Sequence, residues 1–154
     1  MLDYRKFYIN GQWVDPVKKN DFEVINPSDE TACAVISLGS QADTDAAVSA
    51  ARAALPMWSS STKEERIALL ERLYEIYQRR MDEMAELISI EMGAPIDFSK
   101  AAQAPSGTNA IEDFLNQLKK FEFEVQLDDS DNQLIYEPKG VCALITPWNW
   151  PISQ

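Results

Sequence analysis

The stretch VCALITPWNWP, residues 141–151, constrains the fold more than any other part of the chain. Val141 to Ile145 is apolar and partly β-branched, which reads as a strand buried on both faces. Pro147 supplies no N–H and cannot continue a central ladder, so the strand gives way to a loop there. Loops at the carboxyl ends of buried strands are where α/β proteins place their chemistry. Such a strand also needs neighbours on both edges, and the remaining sequence offers few candidates to flank it.

Composition narrows what that loop can do. With 154 residues the chain suffices for one ordinary domain, and 45% apolar with 25% charged residues is a soluble globular composition. Its formal charge of -11, from 25 acidic against 14 basic residues, argues against nucleic acid as a partner, because phosphate contacts need clustered Lys and Arg. There is no histidine, which removes the commonest general base and metal ligand. Cys33 and Cys142 lie far apart in apolar runs without metal-ligand spacing, and both are expected to be reduced core thiols. The N-terminal residues lack the apolar run of a secretory signal, and no stretch reaches the length of a membrane span. A cytoplasmic location without membrane attachment is the expectation.

Local signals come in a clear order. Asn10-Gly11 inside FYINGQWV marks a two-residue hairpin turn, and Pro27 to Glu30 marks a second turn between FEVI and TACAVI. Ser40 caps a helix expected over Gln41–Leu55, whose alanines at 47, 50, 51 and 54 form a smooth face for close backbone approach. Thr62 and Glu65 make a capping box for one long helix with Leu70, Leu73, Tyr77, Met84 and Leu87 as its apolar stripe, ended by Gly93 and Pro95. A third helical region runs from Ile96 to about Phe121, bent or split by Pro105, Ser106 and Gly107. FEFEVQL reads as a strand or extended linker, DDSDN as a solvated acidic turn, and QLIYEP as a short strand.

The segments YINGQWV, INPSDE, AAVSAARAALPMW, ERIALLERL, IEMGAP and YEPKGVCALITPWNWP, in this order and spacing, resemble the N-terminal part of the aldehyde dehydrogenase superfamily. The resemblance implies an α/β fold built of β-hairpins, helices, a bridging arm and the first strand of the cofactor-domain sheet. Residues 1–124 are then the N-terminal part of the NAD(P)-binding domain, 125–138 an oligomerisation arm, and 139–154 the first buried strand with its PWNWP loop. The implied reaction oxidises an aldehyde to a carboxylic acid through a cysteine thiohemiacetal and a thioester, with NAD or NADP as cofactor, in a dimer or tetramer. Ile145, Thr146, Pro147 and Trp148 are implied to line the ribose side of the cofactor, largely through backbone. The Asn149 amide is implied to donate to the oxyanion, a role in which a fixed N–H stabilises developing charge without reorganisation. Read from the residues alone, Asn149 is as readily a helix cap. The carbonyl of Ile25 and the carboxylate of Glu91 fall near a monovalent-cation site of some members, although Glu91 also fits as an ordinary carboxylate of a last helical turn.

Two departures stand out: Ala94, where the family pattern E-x-G-K-P has lysine, and the helix-interrupting Pro105. The resemblance covers nearly the whole chain but ends before the cofactor-binding lysine, the glycine-rich pyrophosphate turn, the glutamate base and the cysteine nucleophile. The expectation is a truncated dehydrogenase, inactive by itself. The alternative is a non-catalytic helical interaction module derived from such an enzyme.

Overall fold

The computed structural model describes residues 1–127 and 131–153. Strands β2 (Phe7–Ile9) and β3 (Gln12–Val14) form the first hairpin, with Asn10 and Gly11 at φ of 51° and 75°. Two successive positive φ angles give a turn that matches the twist of the flanking strands, and this dipeptide adopts them at little cost. The second hairpin pairs β4 (Asp21–Ile25) with β5 (Ala32–Ser37). Its turn is set by side chains: Asn26 Oδ1 accepts from the Ser28 N–H at 2.9 Å, and Asp29 Oδ1 from the Thr31 N–H at 3.0 Å. A strand the sequence did not announce, β1 (Leu2–Tyr4), pairs in parallel with the other edge of β5, so that β5 is central in the order β1-β5-β4.

Helix α1 runs over Gln41–Ser59, past Leu55 and through Pro56. Asp43 organises its start, accepting from the Ser40 N–H at 2.8 Å and the Ser40 hydroxyl at 2.6 Å, and from the Val17 N–H at 2.8 Å. These donors, the Ser40 hydroxyl foremost, hold its carboxyl below the usual carboxylate range and tie the loop after β3 to the helix. The alanine face does not receive another backbone: Ala47, Ala51 and Ala54 stay exposed.

The single long helix expected next is two. Helix α2 (Lys63–Arg79) starts at the predicted capping box, with Thr62 Oγ1 accepting from the Glu65 N–H at 3.1 Å, and α3 (Met81–Met92) starts afresh after Arg80. Arg80 leaves helical geometry at φ −107° and ψ 11°, while Asp82 and Glu83 place negative charge where the new helix dipole favours it. The apolar stripe divides accordingly, so Leu73 is exposed while Ala85 and Ile88 of α3 are buried.

Gly93 ends α3 in the left-handed region, at φ 79°. The last helical region is split, as Pro105 requires, into α4 (Ile96–Phe98), a π-helical turn (Ser99–Gln103) and α5 (Ala104–Lys120). Ala85, Ile88, Ala94 and Ala104 form the buried core, with Met81, Met84, Met92 and Ile152 packed against it. The arm is a short antiparallel pair, β6 (Glu124–Gln126) with β7 (Gln133–Ile135), rooted where Phe121 stacks edge-on against Phe123 and Tyr136. The expected acidic turn falls mainly on residues 128–130, outside the described residues.

The expected buried strand Val141–Ile145 is not formed. These residues join none of the sheets among the described residues, and Leu144 and Ile145 are 88% and 94% exposed. A ladder needs an edge to pair with, and the one central strand, β5, has both of its edges taken by β1 and β4. Cys142, expected in a core, is therefore exposed, whereas Cys33 is half-buried with its thiol 3.2 Å from the Val24 carbonyl. Among the described residues, no helix is long and apolar enough to cross a membrane.

Candidate active site

The site is assembled where three connections meet. The first is the β4–β5 turn, which presents Ile25 and Pro27. The second is the end of α3, where Gly93 lets the chain turn against Pro27: a Cβ at Gly93 would stand 2.6 Å from Pro27 Cγ. Both the positive φ and this approach require glycine. Ser89 reinforces the exit by donating its hydroxyl to the Ala94 carbonyl at 2.8 Å. The third is the PWNWP turn, docked against α4, the π-turn and α5.

Docking of that turn has three anchors. Trp150 meets Phe98 edge-to-face, with ring centroids 5.9 Å apart. Ile152 fills a notch at Gly107, where a Cβ would lie 2.4 Å from Ile152 Cγ2 and 2.8 Å from Tyr77 Cζ. Gln103 donates its side-chain N–H to the Asn149 carbonyl at 3.2 Å. Tyr77 supports the same region by donating its hydroxyl to the Ala104 carbonyl at 2.8 Å, and burial pushes its phenol up, which keeps it a donor.

Together these contacts enclose a cavity of about 490 Å³ lined by Ile25, Pro27, Glu91, Met92, Thr146, Pro147, Trp148 and Pro151. Five residues singled out in the sequence thus share one cavity: Ile25 and Glu91 on one wall, Thr146, Pro147 and Trp148 on the other. Ile145 and Asn149 are not among its lining residues, and both are exposed. Residues 145–148 enter no backbone hydrogen bond among the described residues, and Trp148 is 84% exposed. The N–H groups of Ile145, Thr146 and Trp148 and the four carbonyls are thus free of backbone partners. As a cation site the cavity offers a single carboxylate, Glu91. No cluster of three or more His, Cys, Asp or Glu side chains occurs among the described residues.

Sequence reasoning missed the supports. Gln103 and Phe98 carry no local signal, because their value lies in partners far along the chain, and Pro27 was legible only as a turn residue, not as the neighbour of Gly93. Gly107 was legible only as a helix breaker, not as the seat of Ile152.

Residues 13–154 match the model of the aldehyde dehydrogenase family. The 3-succinoylsemialdehyde-pyridine dehydrogenase of a Pseudomonas species is 43% identical across all of this chain, which covers 32% of that protein. A crystal structure of an aldehyde dehydrogenase from Bartonella henselae superposes with a TM-score of 0.97 at 47% identity, covering 100% of this chain and 33% of that one. An aldehyde dehydrogenase mutant from Pseudomonas syringae, solved with NAD+ and octanal, gives 0.92 at 40% identity, covering 97% and 30%. The chain spans about a third of the length of the relatives it matches. Its fold is α/β, an N-terminal part of the aldehyde dehydrogenase fold, and the chain belongs to the aldehyde dehydrogenase family.

Proposed function

We propose that this chain is the N-terminal third of an enzyme that oxidises an aldehyde to a carboxylic acid, with NAD or NADP as hydride acceptor. The observation that carries the reading is the shared cavity at the docked PWNWP turn, where Ile25, Glu91, Thr146, Pro147 and Trp148 converge beside Asn149. Residues 1–124 then belong to the cofactor-binding domain, 125–138 form a subunit-bridging arm of a dimer or tetramer, and 139–154 carry the first strand of the cofactor domain and its PWNWP loop.

When bound, the nicotinamide accepts the hydride. This chain's residues act around that event. The backbone of Ile145 to Trp148, free of backbone partners, would hold the ribose side of the cofactor through its carbonyls and the N–H groups of Ile145, Thr146 and Trp148. The Asn149 amide donates to the oxyanion that develops when a thiol adds to the aldehyde, the point at which a preorganised dipole contributes most. Ile25, by its carbonyl, and Glu91 would hold a monovalent cation on the wall opposite the loop. The thiol and the base come from sequence beyond these residues. Cys142 is not the nucleophile of this reading: its thiol is exposed, and among the described residues it donates to its near neighbour, the Gly140 carbonyl, 3.7 Å away.

The test uses the full-length enzyme. Wild type forms reduced cofactor with a panel of aldehydes, and Asn149→Ala lowers kcat by about 10²- to 10³-fold with little change in cofactor affinity. If kcat survives and cofactor binding weakens instead, Asn149 positions the ribose and the oxyanion role is wrong. The exposed apolar run at 141–145 favours a second reading, in which the 154-residue chain works as an interaction module. That reading predicts a defined complex with a partner and no aldehyde oxidation from any longer form.

A further inference from the structure

We propose that Gln103 is a positioning residue for Asn149, and that the π-turn carrying it exists to aim it. The proposal rests on the dehydrogenase reading for its catalytic consequence, but its structural part stands apart from it. Gln103 is 3% exposed, and its side-chain N–H donates to the Asn149 carbonyl while its Oε1 has no partner among the described residues. A buried amide with one half unsatisfied is an unfavourable way to fill space, and an apolar side chain of the same length would serve packing better. Stability therefore does not explain a glutamine here. A directed bond to one carbonyl does.

The local backbone shows how the direction is set. Pro105 has no N–H to give to the preceding turn, and the helix accommodates it by widening into the π-turn over Ser99–Gln103. Hydroxyls satisfy carbonyls on either side, Ser106 donating to the Gln103 carbonyl at 2.7 Å and Thr108 to the Pro105 carbonyl at 2.8 Å. One widened turn rotates the residues before it relative to those after it, and such turns concentrate at functional positions. Here the turn also faces the chain at a change of state: Trp148 is almost wholly exposed, whereas Trp150 and Ile152 are docked. Asn149 is the joint between them. Fixing its carbonyl fixes the peptide plane that follows its Cα, and with it the backbone frame from which the side chain departs. A donor displaced by about 1 Å from a developing oxyanion loses on the order of 100-fold in rate.

Gln103→Met keeps length and removes the donor. In the full-length enzyme it is expected to lower kcat about 10- to 100-fold with aldehyde and cofactor KM within about twofold, and without a fall in Tm. In an Asn149→Ala background it should lower kcat no further, because the two residues act as one unit. Amide exchange in the peptide spanning 146–153 should quicken about fivefold, the loss of one hydrogen bond, whether or not the protein is active. Unchanged kcat, a loss that multiplies with that of Asn149→Ala, or unchanged exchange overturns the proposal. If wild type oxidises no aldehyde, the dehydrogenase reading fails while exchange still decides whether Gln103 holds the turn. Should Gln103→Met not fold, Gln103→Glu replaces it: as a neutral acid it can still donate to the carbonyl, and once ionised it cannot. Its exchange at 146–153 relative to wild type must then rise with pH, and a flat ratio overturns the assignment.

Discussion

Two stretches of this chain read alike and fold differently. ACAVIS, residues 32–37, and VCALI, residues 141–145, are both apolar, both carry cysteine at the second position and both look like buried strands. The first is β5, paired by β1 on one edge and β4 on the other, with Ala34 only 7% exposed. The second pairs with nothing among the described residues, and Ile145 is almost completely exposed. The difference lies in neighbours and not in the residues. β-propensity measures how well side chains fit a surface that other strands must supply, and an unpaired backbone gains nothing from it.

The strongest way to break this comparison is to place a charge in each stretch. Ala34→Asp puts an unpaired carboxylate between two strands and should destabilise the 154-residue chain by about 3 kcal/mol or more. Ala143→Asp should change stability by less than about 0.5 kcal/mol in the same chain, as an exposed substitution does. Urea unfolding of both variants measures this, and equal losses would mean that 141–145 is packed after all. In a longer form of the chain the comparison sharpens. If further strands cover 141–145 there, Ala143→Asp becomes costly as well.

The turn beyond VCALI is docked even though the run itself is not, and Gly107 is where that docking is tightest. Gly107→Val drives two methyl groups into Ile152 and Tyr77, an overpacking that should cost about 1–3 kcal/mol and free Trp150 from Phe98. Tryptophan fluorescence followed through thermal unfolding reads both effects. A neutral outcome would show that the turn settles equally well elsewhere.

Thiol labelling compares the two cysteines without any mutation. Cys142 should react with an aromatic disulfide reagent well before Cys33, whose half-buried thiol lies against the Val24 carbonyl. Matching rates would erase the distinction between the two runs.

The smallest effect concerns Asp43, which joins the loop after β3 to α1. Its pKa lies below that of an unfolded aspartate, so its contribution is present above about pH 4 and is lost as pH falls through the lowered value. Asp43→Asn should therefore lower Tm at pH 7, and the gap to wild type should close on acidification. A gap that stays constant with pH would assign the effect to helix capping without charge.

Much of the body was legible because its signals are local. Asn10-Gly11 accepts positive φ angles that most residues avoid, Thr62 and Glu65 satisfy the first N–H groups of α2 within four positions, and Gly93 takes the left-handed angle that ends α3. Pro105 could only disturb a helix. Each follows from the chemistry of a residue and its immediate neighbours, whereas the family was legible through the resemblance of whole segments such as YEPKGVCALITPWNWP.

Other features depended on contacts between distant positions. The sequence could not reveal that β1 pairs with β5, that Arg80 breaks the long helix, or that Ile152 needs Gly107. Nor could it show that Ile25 and Glu91 share a cavity with Thr146, Pro147 and Trp148, or that a glutamine beside Pro105 holds the Asn149 carbonyl. Tertiary packing decided these because a side chain's partner, unlike its φ angle or its capping bond, is chosen by which surfaces the folded chain brings within a few ångströms.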